Sequence, residues 1–139
     1  MSKRRIEALQ VLRRLEERAL EALARDLTAA QSAQSAAMAE VDHLQDRAVR
    51  EASTKSVEAM PYVGKFLVTL RKEQARAQEK ARALDGQISQ LREEVITHFS
   101  AERSYERLAA KALTALREER RQREESASED LSLSRFGRA

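Results

Sequence analysis

The chain has 139 residues, of which 42% are hydrophobic, 35% charged and only 4% aromatic. Such a composition cannot fill a thick globular core and is typical of long helices with a narrow apolar seam. Because 26 basic residues nearly balance 23 acidic ones, the net charge of +3 argues against the broad basic surface of a nucleic-acid-binding protein.

The N-terminal segment, residues 1–7, carries mixed charge, and no apolar run follows that would resemble a secretory signal. Nor does any later run approach the roughly 20 apolar residues that span a bilayer. We therefore expect a cytoplasmic protein without direct membrane insertion. The absence of cysteine excludes disulfides and agrees with a reducing compartment.

A first apolar stripe predicts a helix over about residues 3–55. Its members recur at alternating steps of three and four, the period of a left-handed coiled coil. Only three of the thirteen positions are polar. The stripe comprises Ile6, Leu9, Arg13, Glu16, Leu20, Leu23, Leu27, Ala30, Gln34, Ala37, Val41, Leu44 and Ala48.

A turn over about residues 56–62 follows, because the only proline, Pro61, and the nearby Gly64 lie there. Proline disrupts a helix interior by about 3 kcal/mol and so favours a chain that folds back on itself. Continuous helices in a parallel or swapped dimer are the alternative.

A second stripe predicts a helix over about residues 61–125. We expect residues 1–125 to form one domain of the all-α class, a long antiparallel two-helix coiled-coil hairpin, and residues 126–139 to form a flexible tail. The stripe comprises Val63, Leu67, Leu70, Gln74, Ala77, Ala81, Leu84, Ile88, Leu91, Val95, His98, Glu102, Tyr105, Ala109, Ala112 and Leu116.

The two stripes can be aligned so that Leu27 lies opposite Leu91 and Ala30 opposite Ile88. In this register Arg13 and Glu16 of the first stripe fall at the same level as His98 and Glu102 of the second, and the four residues form a polar layer. A polar layer fixes the alignment of two helices at some cost in stability. Glu16 would lie opposite Glu102, so Arg13 or Arg103 has to neutralise the two carboxylates.

No pattern in the sequence indicates an enzyme. Glycine-rich phosphate loops, zinc-protease motifs and nucleophile triads that a hairpin could close are missing. His98 and Glu102 have helical spacing, which suits a hydrogen-bonded pair in the seam better than acid–base chemistry. We therefore expect no catalytic residue, no metal and no cofactor.

Three local segments carry a family resemblance. The second helix opens with Tyr62, Phe66, Leu67, Thr69 and Leu70. The segment Arg-Ser-Tyr-Glu-Arg-Leu at residues 103–108 resembles an Arg-x-x-x-Glu-[Lys/Arg]-Leu stretch, and residues 119–125 lead to the acidic pair at 129–130. Together with the length and the N-terminal basic helix, this layout resembles the FliJ family of flagellar type III export proteins and their YscO-type counterparts in injectisomes.

The resemblance implies a protein that acts by binding other proteins. Members are antiparallel coiled coils similar to the central stalk of rotary ATPases. Their joined ends enter the ring of a hexameric FliI-like export ATPase, another surface contacts the FlhA-like export gate, and members also bind export chaperones. The implied placement is cytoplasmic, peripheral at the membrane-embedded export apparatus. Whether the system is flagellar or an injectisome stays open.

Carried over to this chain, the gate contact falls on Phe66 and Leu70, although seam packing is an equal explanation for Leu70. The next two family positions fall on Glu73 and Ala77, where this chain departs from the pattern.

The end that the resemblance places in the ATPase ring is rich in basic residues. A basic shaft end can turn in an acidic ring opening because exposed ion pairs are worth only about 0–1 kcal/mol each. Alternatively, these charges only solvate the end of a coiled coil, and the protein is a generic structural tether or assembly adaptor. The candidates are Lys3, Arg4, Arg5, Arg13, Arg14, Arg117, Arg120, Arg121 and Arg123.

Overall fold

A computed structural model describes residues 2–53, 58 and 60–137 of the chain. Two long helices account for nearly all of these residues: α1 comprises Ser2–Ala52 and α2 comprises Met60–Phe136. They pack against each other, and the described part of the chain contains no strand. The predicted all-α class with two long helices is therefore confirmed.

The turn between the helices begins after the last residue of α1, where Ser53 caps the end of the helix. After Ala52, the backbone N–H and the hydroxyl of Ser53 both donate to the carbonyl oxygen of Arg50, at 3.3 and 2.7 Å. Pro61 is the second residue of α2, where its missing N–H costs nothing. The turn predicted over about 56–62 thus ends earlier than expected, and residues 54–57 and 59 of it lie outside the described residues.

The chain divides into two compact units, and each contains a stretch of both helices. The central unit comprises Glu21–Val95, and the terminal unit comprises Met1–Leu20 and Ile96–Ala139. The terminal unit therefore holds both ends of the sequence, and the central unit holds the turn.

Polar contacts in the central unit show that the helices run antiparallel. Gln34 donates from Nε2 to the carbonyl oxygen of Ala81 at 3.4 Å and to Oδ1 of Asp85 at 3.3 Å. Further along α1, Gln45 accepts from Nε2 of Gln74 at 3.2 Å. Positions closer to the C-terminal end of α1 thus contact positions closer to the N-terminal end of α2.

An apolar cluster forms the core of the central unit. It contains Ala30, Ile88 and Leu91, and Leu23 and Leu27 pack against it. These residues belong to the layers that the predicted register pairs with one another. Because Ala30 is small, the backbones can approach closely at this level.

All eight buried side chains of the described residues lie on the two predicted stripes. Heptad spacing therefore identified the seam correctly. The eight are Leu9, Ala30, Ala37, Leu44, Leu70, Ile88, Leu91 and Glu102.

The C-terminal end of α2 differs from the expectation. The sequence predicts the helix to end near Glu125 and the rest to be a flexible tail, whereas the structure continues it to Phe136. No proline or glycine interrupts residues 126–136, and the helix ends where Gly137 donates its N–H to the carbonyl oxygen of Leu133 at 2.9 Å. Missing heptad spacing is therefore not evidence against a helix when strong helix breakers are also missing.

Candidate protein-interaction sites

The predicted polar layer lies in the terminal unit, where Arg13 contacts Glu102 across the seam. Nε of Arg13 donates to Oε1 of Glu102 at 2.8 Å, and the guanidinium also lies 3.4 Å from Glu17 and 3.9 Å from Glu106. Only 7% of Glu102 is exposed. The hydrogen bond to this carboxylate raises the pKa of Arg13 above its ordinary value, so the guanidinium stays charged.

The other two members of the layer pair with each other. Nδ1 of His98 lies 2.5 Å from Oε2 of Glu16, and both side chains are half-buried. The sequence suggested a pair between His98 and Glu102 within α2, whereas His98 reaches across to α1 instead. Each carboxylate thus has its own basic partner, Arg13 for Glu102 and His98 for Glu16. Arg103 contacts Glu106 and takes no part in the layer.

The basic residues predicted to enter a ring differ in how they are engaged. Most lie exposed at the start of α1 or beyond the seam on α2, whereas Arg13 is held in the polar layer and is therefore a structural residue. The exposed ones on α1 are Lys3, Arg4, Arg5 and Arg14, and those on α2 include Arg117 and Arg120.

Two further candidates are neutralised within α2 itself. Arg121 contacts Glu118 and Glu125, each at 2.6 Å, and Arg123 contacts Glu119 at 2.9 Å. The hydrogen bond from Arg121 holds the pKa of Glu118 below its usual range. Ion pairs at this spacing stabilise a helix, which helps to explain why α2 continues past its seam.

The predicted gate contacts lie in the central unit and have unequal access to solvent. Phe66 is half-buried, and the guanidinium carbon of Arg47 lies 5.2 Å from the centre of its ring. Leu70 is only 2% exposed because it packs in the seam. The edge of Phe66 is therefore accessible to a partner, whereas the burial of Leu70 favours the alternative explanation that it packs in the seam.

Other apolar side chains of the same region are exposed, and the sequence analysis did not select them as contact residues. Tyr62 is 76% exposed, Met60 60%, Val49 59% and Val68 54%. They lie off the heptad seam, which is the signal that could have found them. On α2, Tyr62 and Phe66 lie four residues apart on one side of the helix, whereas Met60 and Val68 lie on other sides. We call Tyr62 and Phe66 the turn-proximal patch.

A second apolar stripe on α1 was also missed. Val11 is 52% exposed, Leu12 40% and Leu15 54%. Together with Ala8 they follow helical spacing on a face beside the seam. We call Ala8, Val11, Leu12 and Leu15 the outer stripe.

Other classes of site receive no support from the described residues. Within the ranges 2–53 and 60–137, no group of three or more histidine, cysteine, aspartate or glutamate residues could hold a metal ion. No helix in these ranges is long and apolar enough to cross a membrane.

We also compared the chain with known proteins. No family model, curated protein or solved structure matches the chain.

Proposed function

We propose that this protein is a stalk component of a type III protein export apparatus, without enzymatic activity of its own. Its terminal unit would enter the ring of a hexameric FliI-like export ATPase, and its central unit would contact the FlhA-like export gate. Export chaperones would be further partners. The protein would act in the cytoplasm, at the inner face of the membrane-embedded apparatus.

One observation carries the proposal. Both ends of the sequence lie in one unit, whose first helix begins with the exposed basic residues Lys3, Arg4 and Arg5. The turn and its exposed aromatic residue Tyr62 lie in the other unit. One chain thus offers two surfaces of different chemistry, a basic one for an acidic ring opening and an apolar one for a second protein.

The resemblance to the FliJ family supports the choice of partners. It rests on the Tyr62, Phe66, Leu67, Thr69 and Leu70 pattern. Since Leu70 is buried, we assign the gate contact to the turn-proximal patch, that is, to Tyr62 and the edge of Phe66.

A generic structural tether or assembly adaptor is the second candidate function. The buried position of Leu70 and the contact of Phe66 with Arg47 favour it, because both give the family pattern a purely structural role. Such an adaptor needs only the paired helices.

An ATPase assay tests the stalk directly. The purified chain should raise the turnover of its cognate hexameric export ATPase and co-elute with the ring. An Arg4→Glu, Arg5→Glu double variant should lose both effects, whereas Arg25→Glu, a matched exposed change in the central unit, should keep them. Unchanged turnover with the wild-type chain and no co-elution would exclude the stalk.

A second assay separates the stalk from the adaptor. Tyr62→Ala removes a side chain that is 76% exposed and should abolish binding to the export gate without lowering helical content. Lys72→Ala, an exposed change on the same helix, is the control. If Tyr62→Ala supports export as well as the control does, the adaptor is the better description.

A further inference from the structure

We infer that the end of α2 in one chain binds the outer stripe of α1 in a second copy, and that the pairing is reciprocal. The binding segment is residues 117–136, which we call the extension. Every residue of the extension is exposed, and no other segment of the described chain packs on it. The inference does not depend on the export function.

The extension presents one face that is acidic at its start and apolar at its end. Glu125, Glu129, Leu133 and Phe136 follow one another at steps of four, four and three, so they lie on one side of the helix. Leu133 is 69% exposed and Phe136 is 82% exposed. Removing two large apolar side chains at neighbouring positions from water lowers the free energy, so burial of Leu133 and Phe136 would stabilise a contact.

The outer stripe has the complementary order. Arg4, Ala8, Leu12 and Leu15 also follow one another at steps of four, four and three. When the two helices lie parallel, Arg4 meets Glu125, which also contacts Arg121, and Ala8 meets Glu129. Leu12 meets Leu133, and Leu15 meets Phe136. Opposite charges therefore face each other at one end of the contact, and large apolar side chains face each other at the other end.

The required direction follows from symmetry. In the terminal unit α2 runs antiparallel to α1, as the contact of Arg13 with Glu102 shows. A two-fold axis that crosses the helices at right angles near Arg120 generates a second copy in which every helix runs in the reverse direction. The α1 helix of that copy then runs parallel to the extension of the first chain. The same operation places the second extension on the first chain, so the contact closes as an isologous dimer.

The charge of the extension also favours a second copy of the chain, rather than a membrane, as its binding partner. Residues 124–136 carry four acidic side chains, Glu124, Glu125, Glu129 and Asp130, against the single basic Arg135. The outer stripe begins beside Lys3, Arg4 and Arg5. It also contains no aromatic residue, whereas helices that lie in a membrane interface usually carry them.

Cysteine cross-linking tests the contact, since the chain has no cysteine of its own. Leu12→Cys and Leu133→Cys chains are prepared separately, mixed and oxidised, and a disulfide-linked heterodimer should form. Gln10→Cys, on the opposite side of α1, mixed with Leu133→Cys is the control. A yield no higher than in the control would overturn the inference, as would a wild-type chain that sediments as a monomer at every concentration.

Sedimentation of two further variants measures the strength of the contact. Phe136→Ala should weaken the dimer by about a hundredfold or more, because the reciprocal dimer loses two buried aromatic side chains, one at each contact. Leu131→Ala removes a side chain that is 65% exposed on the other side of the extension and should leave the dissociation constant unchanged. Equal constants for the two variants would contradict the inference.

A charge exchange identifies the partner as a second copy. Arg4→Glu and Glu125→Arg should each weaken the dimer by up to about thirtyfold, within the range of two exposed ion pairs, one at each of the two reciprocal contacts. The double variant should restore it, because both partners of the pair are then exchanged. A double variant weaker than either single one would exclude this alignment, and circular dichroism confirms that all variants keep their helices.

Discussion

The two units use the same pair of helices but hold them together differently. Among the described residues, the central unit buries six apolar side chains, whereas the terminal unit buries Leu9 and the charged Glu102. The six are Ala30, Ala37, Leu44, Leu70, Ile88 and Leu91. An apolar seam stabilises a coiled coil in proportion to the area it buries. A layer of charged pairs adds little stability but penalises every alignment that separates the charges. The comparison suggests that the central unit supplies stability and the terminal unit supplies register.

The largest expected effect comes from opening the apolar cluster of the central unit. Ile88→Ala removes a side chain that is 3% exposed and should lower the free energy of unfolding by about 2–4 kcal/mol in urea titrations. Ile96→Ala, the same change at a side chain that is 66% exposed, should stay within about 0.5 kcal/mol of wild type. Similar losses for both variants would contradict a seam-based core.

A smaller effect of opposite sign is expected on the outer face of the central unit. Gly86 lies inside α2, and a methyl group added there would meet nothing within 4 Å. Gly86→Ala should therefore raise the free energy of unfolding by roughly 1 kcal/mol through helix propensity alone. A loss of stability would show that another part of the protein approaches this face, and thermal unfolding followed by circular dichroism measures the change.

The polar layer of the terminal unit should respond in the opposite way to the apolar cluster. Glu102→Leu replaces a buried carboxylate by an apolar side chain of similar size, and Arg13 keeps its contacts with Glu17 and Glu106. The free energy of unfolding should be unchanged or should rise by up to about 1 kcal/mol. A loss as large as that of Ile88→Ala would mean that the polar layer also supplies stability.

The smallest effect is a pH dependence confined to the extension. Arg121 holds the pKa of Glu118 below its ordinary value, so this contact stabilises the helix above the ordinary glutamate range and is lost as the pH falls through the lowered pKa. The protection of the amides of residues 117–125, measured relative to the intrinsic exchange rate at each pH, should therefore fall in acid. In Glu118→Gln the change should be smaller, and an identical response in both proteins would contradict the assignment.

Much of the fold followed from the spacing of apolar residues. Every buried side chain of the described residues, including Glu102, lies on a stripe that the sequence already showed. The pairing inside the polar layer could not be predicted, because Arg13 can reach Glu17, Glu102 and Glu106, and only side-chain geometry shows that Glu102 is the nearest. Side-chain geometry likewise shows that His98 contacts Glu16.

The surfaces were harder to predict than the seam. A heptad reading assigns every residue outside the seam to solvent, so it gave no weight to Leu12 and Leu15 of the outer stripe. The family resemblance, and not the heptad spacing, led to the choice of Leu70 as a surface contact, although its position in the seam was equally clear. Residues 117–125 of the extension were predicted to be helical, whereas residues 126–136 were missed because they have no apolar period.

The central claim is that the two helices pair antiparallel within one chain. It is tested most directly by spin labels at Asp26→Cys and Arg92→Cys, two exposed positions at the same level of the central unit. The account predicts one short distance, compatible with the roughly 8–10 Å between packed helix axes, that persists when labelled protein is diluted with unlabelled chains. A short distance that disappears on dilution would place the two helices in different chains and would contradict the fold-back.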